Sequence, residues 1–344
     1  MRVASAQPRA TLADVGKLAG VSSKTVSRVM LGDKKVAEPT RERVLAAART
    51  LRFRPNQLAS SLRQGSTTNV IAFVIGDLTN PFYALVAAGA ERELARHGLM
   101  MILASTDDDP TSEERVVETL LRQRVRALIM VPISQDQSYL EGERQLGTPV
   151  ICVDRPAHNL IADSVVLDNR NGMAQAVRKL TGIGHRRIAF VSSPVGLHTD
   201  QQRLAGYEDA LQEAGIPVSS ELVQMPQVYG TVAESVRELM ALPEPPTALV
   251  AANNKISSII IHALQHRLES VAFVGFDDFE LADLTDISVV AYDAAELGRV
   301  AARLAIARLE DPVGAPAHQQ IPTTLIARGS GEKPPILAPQ ELAN

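Results

Sequence analysis

Basic and hydroxyl side chains are concentrated in one short stretch near the start of the chain, TLADVGKLAGVSSKTVSRVM. Lys24 and Arg28 stand four residues apart, so a helix would present them on one face. Arginine and lysine donate hydrogen bonds to guanine O6 and N7 in the major groove, whereas hydroxyl groups bind phosphate oxygens. We expect Ser23, Lys24 and Arg28 to read bases. Thr25 and Ser27 are the expected phosphate contacts, and the alternative is a basic helix face that meets only solvent.

Two short helices joined by a tight turn are expected to position these side chains. Thr11 and Asp14 have the spacing of a capping box, which opens a helix. Gly20 stands where a positive φ would end that helix, and Ser22 is expected to cap the next one. This pattern predicts a helix-turn-helix unit. Thr11 and Ser22 are included among the expected DNA-contacting residues.

A third helix and a polar segment follow the predicted recognition helix. Thr40 is expected to cap a helix over residues 40–51, which would close a three-helix head. Residues 56–66 are too few and too polar to form a stable helix alone. That segment either folds when it meets a partner and DNA together, or it is a plain linker.

Charge is divided unevenly along the chain. Residues 1–65 carry 13 Lys or Arg against 4 Asp or Glu, a net charge of +9. The rest carries 22 against 35, a net charge of −13. A cationic head on an acidic body indicates a polyanion partner at one end only.

Composition also bears on the compartment. The single cysteine, Cys152, lies in an apolar run, so we expect a buried structural thiol and no internal disulfide. No apolar run reaches the roughly 18 residues of a membrane span, and the N-terminus lacks the apolar core of a secretory signal. We therefore expect a cytoplasmic protein that contacts no membrane and associates with the nucleoid when bound to DNA.

From residue 69 onward, apolar strand-like runs alternate with amphipathic helices. This alternation predicts an α/β core of two doubly wound parallel-sheet lobes behind the N-terminal all-α helix-turn-helix head. The expected domain bounds are 10–54 for the head, 55–66 for the hinge or linker, 67–330 for the core and 331–344 for a loose tail. The expected lobes are about 69–166 plus 293–326 and about 167–292 plus the C-terminal part. The run IPTTLI, residues 321–326, is expected to be one strand.

In such sheets, ligands bind beyond the carboxyl ends of the strands. The loops there are TNPFY, STDDD, VDR, SSPVGLHTDQQR, AANN and GFDD. Polar groups flanked by a few rings favour a polyhydroxylated small molecule. No serine or cysteine nucleophile is placed with a base, and no HExxH, CxxC or GxxxxGK[ST] motif occurs. We therefore predict no catalytic residues, no metal and no cofactor.

The chain closely resembles the LacI/GalR family of bacterial transcription regulators from residue 11 to about residue 329. The likeness rests on the stretch quoted above combined with RFRPNQLASSLR, DLTNPFY, GHRRIAFVS, RLAGY and VGFDD. It implies a core like a periplasmic sugar-binding protein, and a homodimer or tetramer that binds a palindromic double-stranded operator. It further implies a repressor under allosteric control by a small sugar-like effector. The alternatives are a regulator that binds a nucleoside or purine, and a transport solute-binding protein, which would need an export signal and no basic head.

The resemblance also assigns roles to residues of the hinge. Family hinges fold as helices in the minor groove, where a leucine that matches Leu62 wedges between base pairs. Ala59 matches a small position that lets two hinge helices approach. Asn56 is a further expected DNA contact.

The resemblance finally implies a set of effector-binding residues between the lobes. These are Phe82, Tyr83, Asp154, Arg155, Arg203, Asn253, Asp277 and Tyr292. Arg203 and Asp277 are expected to hold hydroxyl groups by charge-assisted hydrogen bonds. Asn254 stands where the family usually has Asp, and Tyr292 and Asp293 replace a usual Gln-Pro pair. The identity of the effector, and whether it releases DNA or tightens binding, therefore stay open.

Overall fold

The computed structural model describes residues 10–33, 35–54, 68–193, 196–312 and 314–336. The chain divides into two compact units, Met1–Thr68 and Asn69–Asn344. The helices of the first unit are α1 (Leu12–Ala19), α2 (Ser23–Met30) and α3 (Glu38–Thr50). Their inward valines, Val15, Val26 and Val44, are fully buried. The predicted three-helix head is confirmed.

The predicted caps of the first two helices are also present. Thr11 and Asp14 form the capping box, with the Asp14 N–H donating to Thr11 Oγ1 at 3.3 Å. Gly20 ends α1 with a φ of 66°, a left-handed conformation that favours glycine. Ser22 Oγ accepts the Thr25 N–H at 3.2 Å. Local hydrogen bonds therefore set the turn between α1 and α2.

The predicted start of the third helix is wrong by two residues. α3 begins at Glu38, and its N-cap, Ala37, makes no side-chain hydrogen bond. Thr40 lies inside the first turn, where its N–H donates to the Ala37 carbonyl at 3.0 Å. Pro39 is the reason, since proline fits the first helical turn, where its missing N–H would have no partner anyway.

The second unit contains two six-stranded sheets and their covering helices. The strands are β1 (Val70–Ile75), β2 (Met100–Ser105), β3 (Ala127–Met130), β4 (Val150–Asp154), β5 (Asp163–Leu167), β6 (Ile188–Val191), β7 (Val223–Gln224), β8 (Ala248–Ala251), β9 (Ala272–Phe276), β10 (Ser288–Ala291), β11 (His318–Ile321) and β12 (Thr324–Ile326). The α-helices are α4 (Pro81–Arg96), α5 (Pro110–Leu121), α6 (Glu141–Gln145), α7 (Asn169–Ile183), α8 (His198–Glu213), α9 (Tyr229–Leu239), α10 (Asn254–Leu264) and α11 (Ala294–Glu310). Short 3-10 helices lie at Ser138–Leu140, Ser220–Leu222, Gln265–Glu269 and Ser330–Glu332.

Each sheet forms the centre of one lobe. The first has the order β11-β5-β4-β3-β1-β2 and the second β12-β10-β9-β8-β6-β7. All neighbouring strands are parallel except β10 and β12, which are antiparallel. In both sheets the strand order reverses beside the first strand of the lobe, which is where doubly wound sheets open a crevice. The predicted fold class is confirmed.

Within the described residues the chain crosses between the lobes three times, and α11 returns to the first lobe to pack on α4. Gly89 of α4 faces the backbone of Ala295, and Gly298 of α11 faces the backbone of Val86. A Cβ at either glycine would overlap that backbone, so these two glycines let the helices approach closely.

Two strands were not predicted from the sequence, and one predicted strand is divided. The two missed strands are β5 and β10, each of which begins with a polar residue and so has a shorter apolar run than most of the strands that were predicted. The run 321–326 is not one strand, because β11 ends at Ile321 in the first sheet and β12 begins at Thr324 in the second. Pro322 lies between them and has no N–H for a strand ladder.

The segment after Gly329 is not loose in its described part. Ser330 is 3% exposed, and its Oγ donates to the Phe273 carbonyl at 2.6 Å. The same Oγ accepts the Ser288 N–H at 2.8 Å. His185 Nε2 donates to the Lys333 carbonyl at 2.8 Å. One serine hydroxyl, as both donor and acceptor, ties this segment to β9 and β10 despite its polar composition.

Cys152 is a free, fully buried thiol on β4, as predicted, and burial raises its pKa to about 12.

Among the helices that the structure describes, none combines the length and apolarity needed to cross a bilayer. Within the same residues, no group of three or more His, Cys, Asp or Glu side chains could hold a metal ion.

Candidate functional site

The first candidate site is the polar face of α2 in the head. Val26 and Val29 are buried, whereas Ser23, Lys24 and Arg28 are exposed. Thr25 and Ser27 are half-buried, and Thr11 and Ser22 are exposed at the starts of α1 and α2. The structure therefore places the predicted DNA contacts of the helix-turn-helix unit on α2, on its N-cap Ser22 and on Thr11, the N-cap of α1. The predicted hinge contacts Asn56, Ala59 and Leu62 lie outside the described residues.

The second candidate site is a cleft between the two lobes, with about 460 Å³ of empty space that is partly open to solvent. All eight residues expected to bind an effector line it: Phe82, Tyr83, Asp154, Arg155, Arg203, Asn253, Asp277 and Tyr292. Each lies at or beyond the carboxyl end of a strand, where parallel sheets bind ligands.

Arg203 is held from several sides in the second lobe. Its Nε donates to Asn169 Oδ1 at 2.8 Å, and its Nη1 donates to the Ala252 carbonyl. The guanidinium carbon lies 3.8 Å from the centroid of the Phe276 ring, a stacking geometry that favours a cation. These contacts fix the arginine at the cleft wall, with Nη2 at 3.7 Å from Asp277 Oδ1.

Asp277 connects Arg203 to two other elements. Its Oδ1 accepts the Tyr292 hydroxyl at 2.7 Å, and its Oδ2 accepts the Asn254 N–H at 3.1 Å. Asp277 has a φ of 71°, an uncommon conformation for a non-glycine residue, of the kind that is concentrated at functional sites. Arg203 and Asp277 therefore lie side by side on the wall of the second lobe and do not face each other across the cleft; their expected role in holding hydroxyl groups stays a prediction.

The wall formed by the first lobe repeats this design. Asp154 ends β4 with a φ of 71°, matching Asp277 after β9. Arg155 Nη2 donates to the Tyr83 hydroxyl at 3.0 Å, and Arg155 Nε lies 3.4 Å from Asp154 Oδ2. Burial raises the pKa of Asp154, while Arg155 and Arg203 oppose that rise. Phe82 and Tyr292 close the centre with their ring centroids 5.9 Å apart.

Three buried polar atoms in this wall have no hydrogen-bond partner among the described residues. They are Nε and Nη1 of Arg155 and Oδ1 of Asp108. Of these, Arg155 Nε still has an ion-pair contact with Asp154 Oδ2 at 3.4 Å. Buried polar groups are almost always paired, and leaving one unpaired costs about 1–3 kcal/mol. A ligand that both donates and accepts hydrogen bonds would supply the missing partners.

Sequence reasoning predicted most of the lining loops but missed six lining residues. These are Asn80, Asp108, Leu197, Thr199, Tyr229 and Lys255. Asn80, Asp108, Leu197 and Thr199 lie in loops that were predicted to face the ligand. Tyr229 is the first residue of α9, three residues before the predicted start of that helix at Val232.

Two polar contacts between described residues bridge the lobes across the cleft. Lys255 Nζ forms an ion pair with Asp77 Oδ2, and Asn254 Nδ2 donates to Asn80 Oδ1 at 2.9 Å. Although burial raises the pKa of Asp77, its bonds with Lys255 and Thr79 lower that pKa below its usual value. The carboxylate is therefore suited to remain charged against Lys255.

Together, a two-lobed ligand-binding core and a helix-turn-helix head define a class of DNA-binding regulators. Residues 11–56 match the family described as bacterial regulatory proteins, lacI family. Residues 68–328 match the periplasmic binding proteins and sugar binding domain of the LacI family. The chain belongs to the LacI family. It is a DNA-binding transcription repressor with a sugar-binding type of domain, and not an enzyme.

Individual relatives agree with this assignment. The ribose operon repressor of Escherichia coli K12 is 31% identical over 330 residues, covering 93% of this chain and 99% of that protein. The solved complex of the transcriptional regulator CelR with cellobiose is 29% identical, with a TM-score of 0.68, and covers 94% of this chain and 100% of that one. The lac repressor dimer bound to operator and the anti-inducer ONPF shares the fold, with a TM-score of 0.82 at 22% identity over 95% of this chain and 100% of that one.

Proposed function

We propose that this repressor binds a palindromic operator as a homodimer and that a small, neutral, sugar-like effector in the cleft controls the binding. The observation that carries this proposal is the coexistence of two features in one chain. One is an exposed basic helix face in the head. The other is a polar cleft in which Arg155 and Asp108 keep buried atoms unpaired.

The charges of the cleft favour a neutral effector. The lining contains three carboxylates and three cations, namely Asp108, Asp154, Asp277, Arg155, Arg203 and Lys255. A phosphorylated sugar or sugar acid would add a buried negative charge to this balanced set, which is unfavourable without a further cation. Hydroxyl groups, which donate and accept, match the mixed donors and acceptors.

An exposed apolar edge supports the homodimer. β2 is the outer strand of its sheet, and Met100 and Ile102 are 58% and 39% exposed. Leu85 of the adjoining α4 is 54% exposed. An apolar edge strand is prone to pair with another chain unless it is covered. The proposed cover is the same edge of a second copy, an arrangement that would also pair the heads on a palindrome.

The experiment that tests the proposal selects binding sites from random double-stranded DNA with the full-length protein. The selection is followed by titration with D-ribose, cellobiose, fructose 1-phosphate and a nucleoside. We expect one palindromic site, and a change in its affinity caused by a neutral sugar that also raises the melting temperature. A response to the nucleoside alone would favour the alternative effector class, and no preferred site would refute the proposal.

Base reading by α2 gives a direct prediction. Arg28→Ala and Lys24→Ala should each weaken binding to the selected site by about 1–3 kcal/mol, because a well-formed base contact has that value. Fluorescence anisotropy at fixed salt would measure this loss. Equal losses on the selected site and on random DNA would instead assign these side chains to phosphate contacts.

The two bridges across the cleft support allosteric control, because they stabilise the described arrangement of the lobes, which we propose is the closed state. Asn80 Oδ1 accepts the Phe82 N–H at 3.1 Å as well as the Asn254 amide at 2.9 Å. The helix cap therefore fixes this oxygen as an acceptor, and only a donor at position 254 can reach it. An effector acts by its differential affinity for the open and closed states.

Asn254→Asp is consequently expected to break the bridge, since a carboxylate would face an oxygen that cannot donate. We expect the effector sugar to bind about 5- to 20-fold more weakly, as the loss of one such bond implies. Spin labels placed on the two lobes should report a longer distance in the sugar-free protein. Asn80→Asp is the control, because it keeps both accepted bonds, so its label distance should stay at the wild-type value. A wild-type distance in Asn254→Asp would contradict the role of this bridge.

A further inference from the structure

A carboxylate lies beside the expected base-reading arginine in the head. Asp33 Oδ2 accepts the Nε–H of Arg28 at 2.8 Å, and Asp33 Oδ1 accepts the Lys35 N–H at 2.9 Å. The Asp33 backbone is held as well, because its N–H donates to the Arg28 carbonyl at 3.0 Å and its carbonyl accepts Arg41 Nη2 at 2.7 Å. Asp33 is thus fixed by α2 and α3 before it contacts Arg28.

The bond to Asp33 restricts how Arg28 can meet DNA. A guanidinium has five N–H donors in a planar fork, and the bond uses the one on Nε. The Nη1 and Nη2 groups then form the pair of donors that a guanine would accept. The Arg28 side chain is 44% exposed, so this end is accessible. Fixing a long side chain in advance lowers the entropy lost when it binds.

A negative charge at this place has a disadvantage for general DNA affinity. Residues 1–65 carry a net charge of +9, and a carboxylate close to the duplex repels phosphates and so reduces sequence-independent binding. A group that lowers affinity for all DNA can still raise the discrimination between one base sequence and another, if it orients the side chain that reads a base.

We propose that Asp33 is a positioning residue for sequence reading, which orients the Arg28 guanidinium toward a guanine. It thereby lowers the affinity for DNA of any sequence and raises the discrimination between the operator and other sequences. This inference rests on the proposed base-reading role of Arg28. The rival explanation is that Asp33 only shapes the turn between α2 and α3 through Lys35 and Arg41.

Asp33→Asn separates these two roles. The asparagine can still present one oxygen to the Lys35 N–H, and the backbone bonds to Arg28 and Arg41 do not involve its side chain. Its amide nitrogen, however, would face the Arg28 Nε–H as a second donor. The matched control is Glu42→Gln on α3, which removes the same charge from the exposed surface of the head.

The test measures full-length protein on three duplexes at one salt concentration: the selected site, that site with the Arg28-dependent guanine replaced, and an unrelated sequence. We expect Asp33→Asn to bind the selected site about tenfold more weakly, to bind the unrelated duplex at least as well as wild type, and to lose most discrimination at the replaced base pair. Glu42→Gln should strengthen binding to all three duplexes alike. In an Arg28→Ala background, Asp33→Asn should cause no further loss of discrimination.

Two results would overturn the inference. One is that Asp33→Asn behaves like Glu42→Gln, which would mean that the Asp33 carboxylate acts only through its negative charge and does not orient Arg28. The other is an equal loss on all three duplexes, which would make it a structural part of the turn. Failure of the proposed function is distinguishable, because Arg28→Ala alone would then leave discrimination unchanged, whatever Asp33→Asn does.

Discussion

Arg203→Ala is expected to abolish the response to the effector sugar while the protein without sugar still binds its operator. Arg203 is 4% exposed and forms its contacts with Asn169, Ala252 and Phe276 within one lobe. Truncation removes the charge-assisted donors that face the cleft and leaves Asp277 without its nearby cation. We expect the sugar to bind at least about 100-fold more weakly, which corresponds to about 3 kcal/mol. Calorimetric titration and operator anisotropy would measure the two effects.

Two further variants make this prediction specific. Arg203→Lys keeps the charge but loses the planar fork, so we expect an intermediate sugar affinity and a smaller loss of melting temperature. Arg170→Ala removes an exposed arginine of the same lobe that pairs with Asp209 at 2.6 Å. This variant should bind both the sugar and the operator with wild-type affinity. A wild-type sugar titration in Arg203→Ala would contradict the assignment of the cleft.

The sequence predicted the head almost completely, because local interactions determine it. Thr11, Ser22 and Gly20 act through bonds and dihedral angles within a few residues of themselves, so their types reveal the caps and the turn. The error at Thr40 has the same local origin. Two start signals competed, and proline at position 39 favoured the earlier start.

The sequence predicted which residues line the cleft, but it did not predict which of them contact one another. Side chains after strand ends must meet at one edge of a parallel sheet, and the resemblance to a family supplied which of them to choose. The cross-lobe pair of Asp77 and Lys255 joins residues 178 positions apart, and no periodicity indicates such a pair. The same holds for the docking of Ser330 on β9 and β10, since only the folded sheet presents the carbonyl that Ser330 binds.

Replacement of Met100 and Ile102 by aspartate is the second change from which we expect a large effect. The two residues lie on the same face of β2, and a two-fold axis would place four new carboxylates in one apolar interface. We expect a monomer by sedimentation equilibrium. Operator affinity should fall about 100-fold or more, because the second head no longer binds at the high effective concentration that dimerisation provides.

The matched control places the same two charges on apolar residues elsewhere in this lobe. Leu146 and Ile161 are 82% and 65% exposed, and their replacement by aspartate should leave both the oligomeric state and the operator affinity unchanged. A single half-site adds a second comparison, since one head suffices for it and the edge variant should bind it like wild type. If the edge variant stayed dimeric, β2 would not be the interface. If it became monomeric and still bound the palindrome at full affinity, operator recognition would not require paired heads.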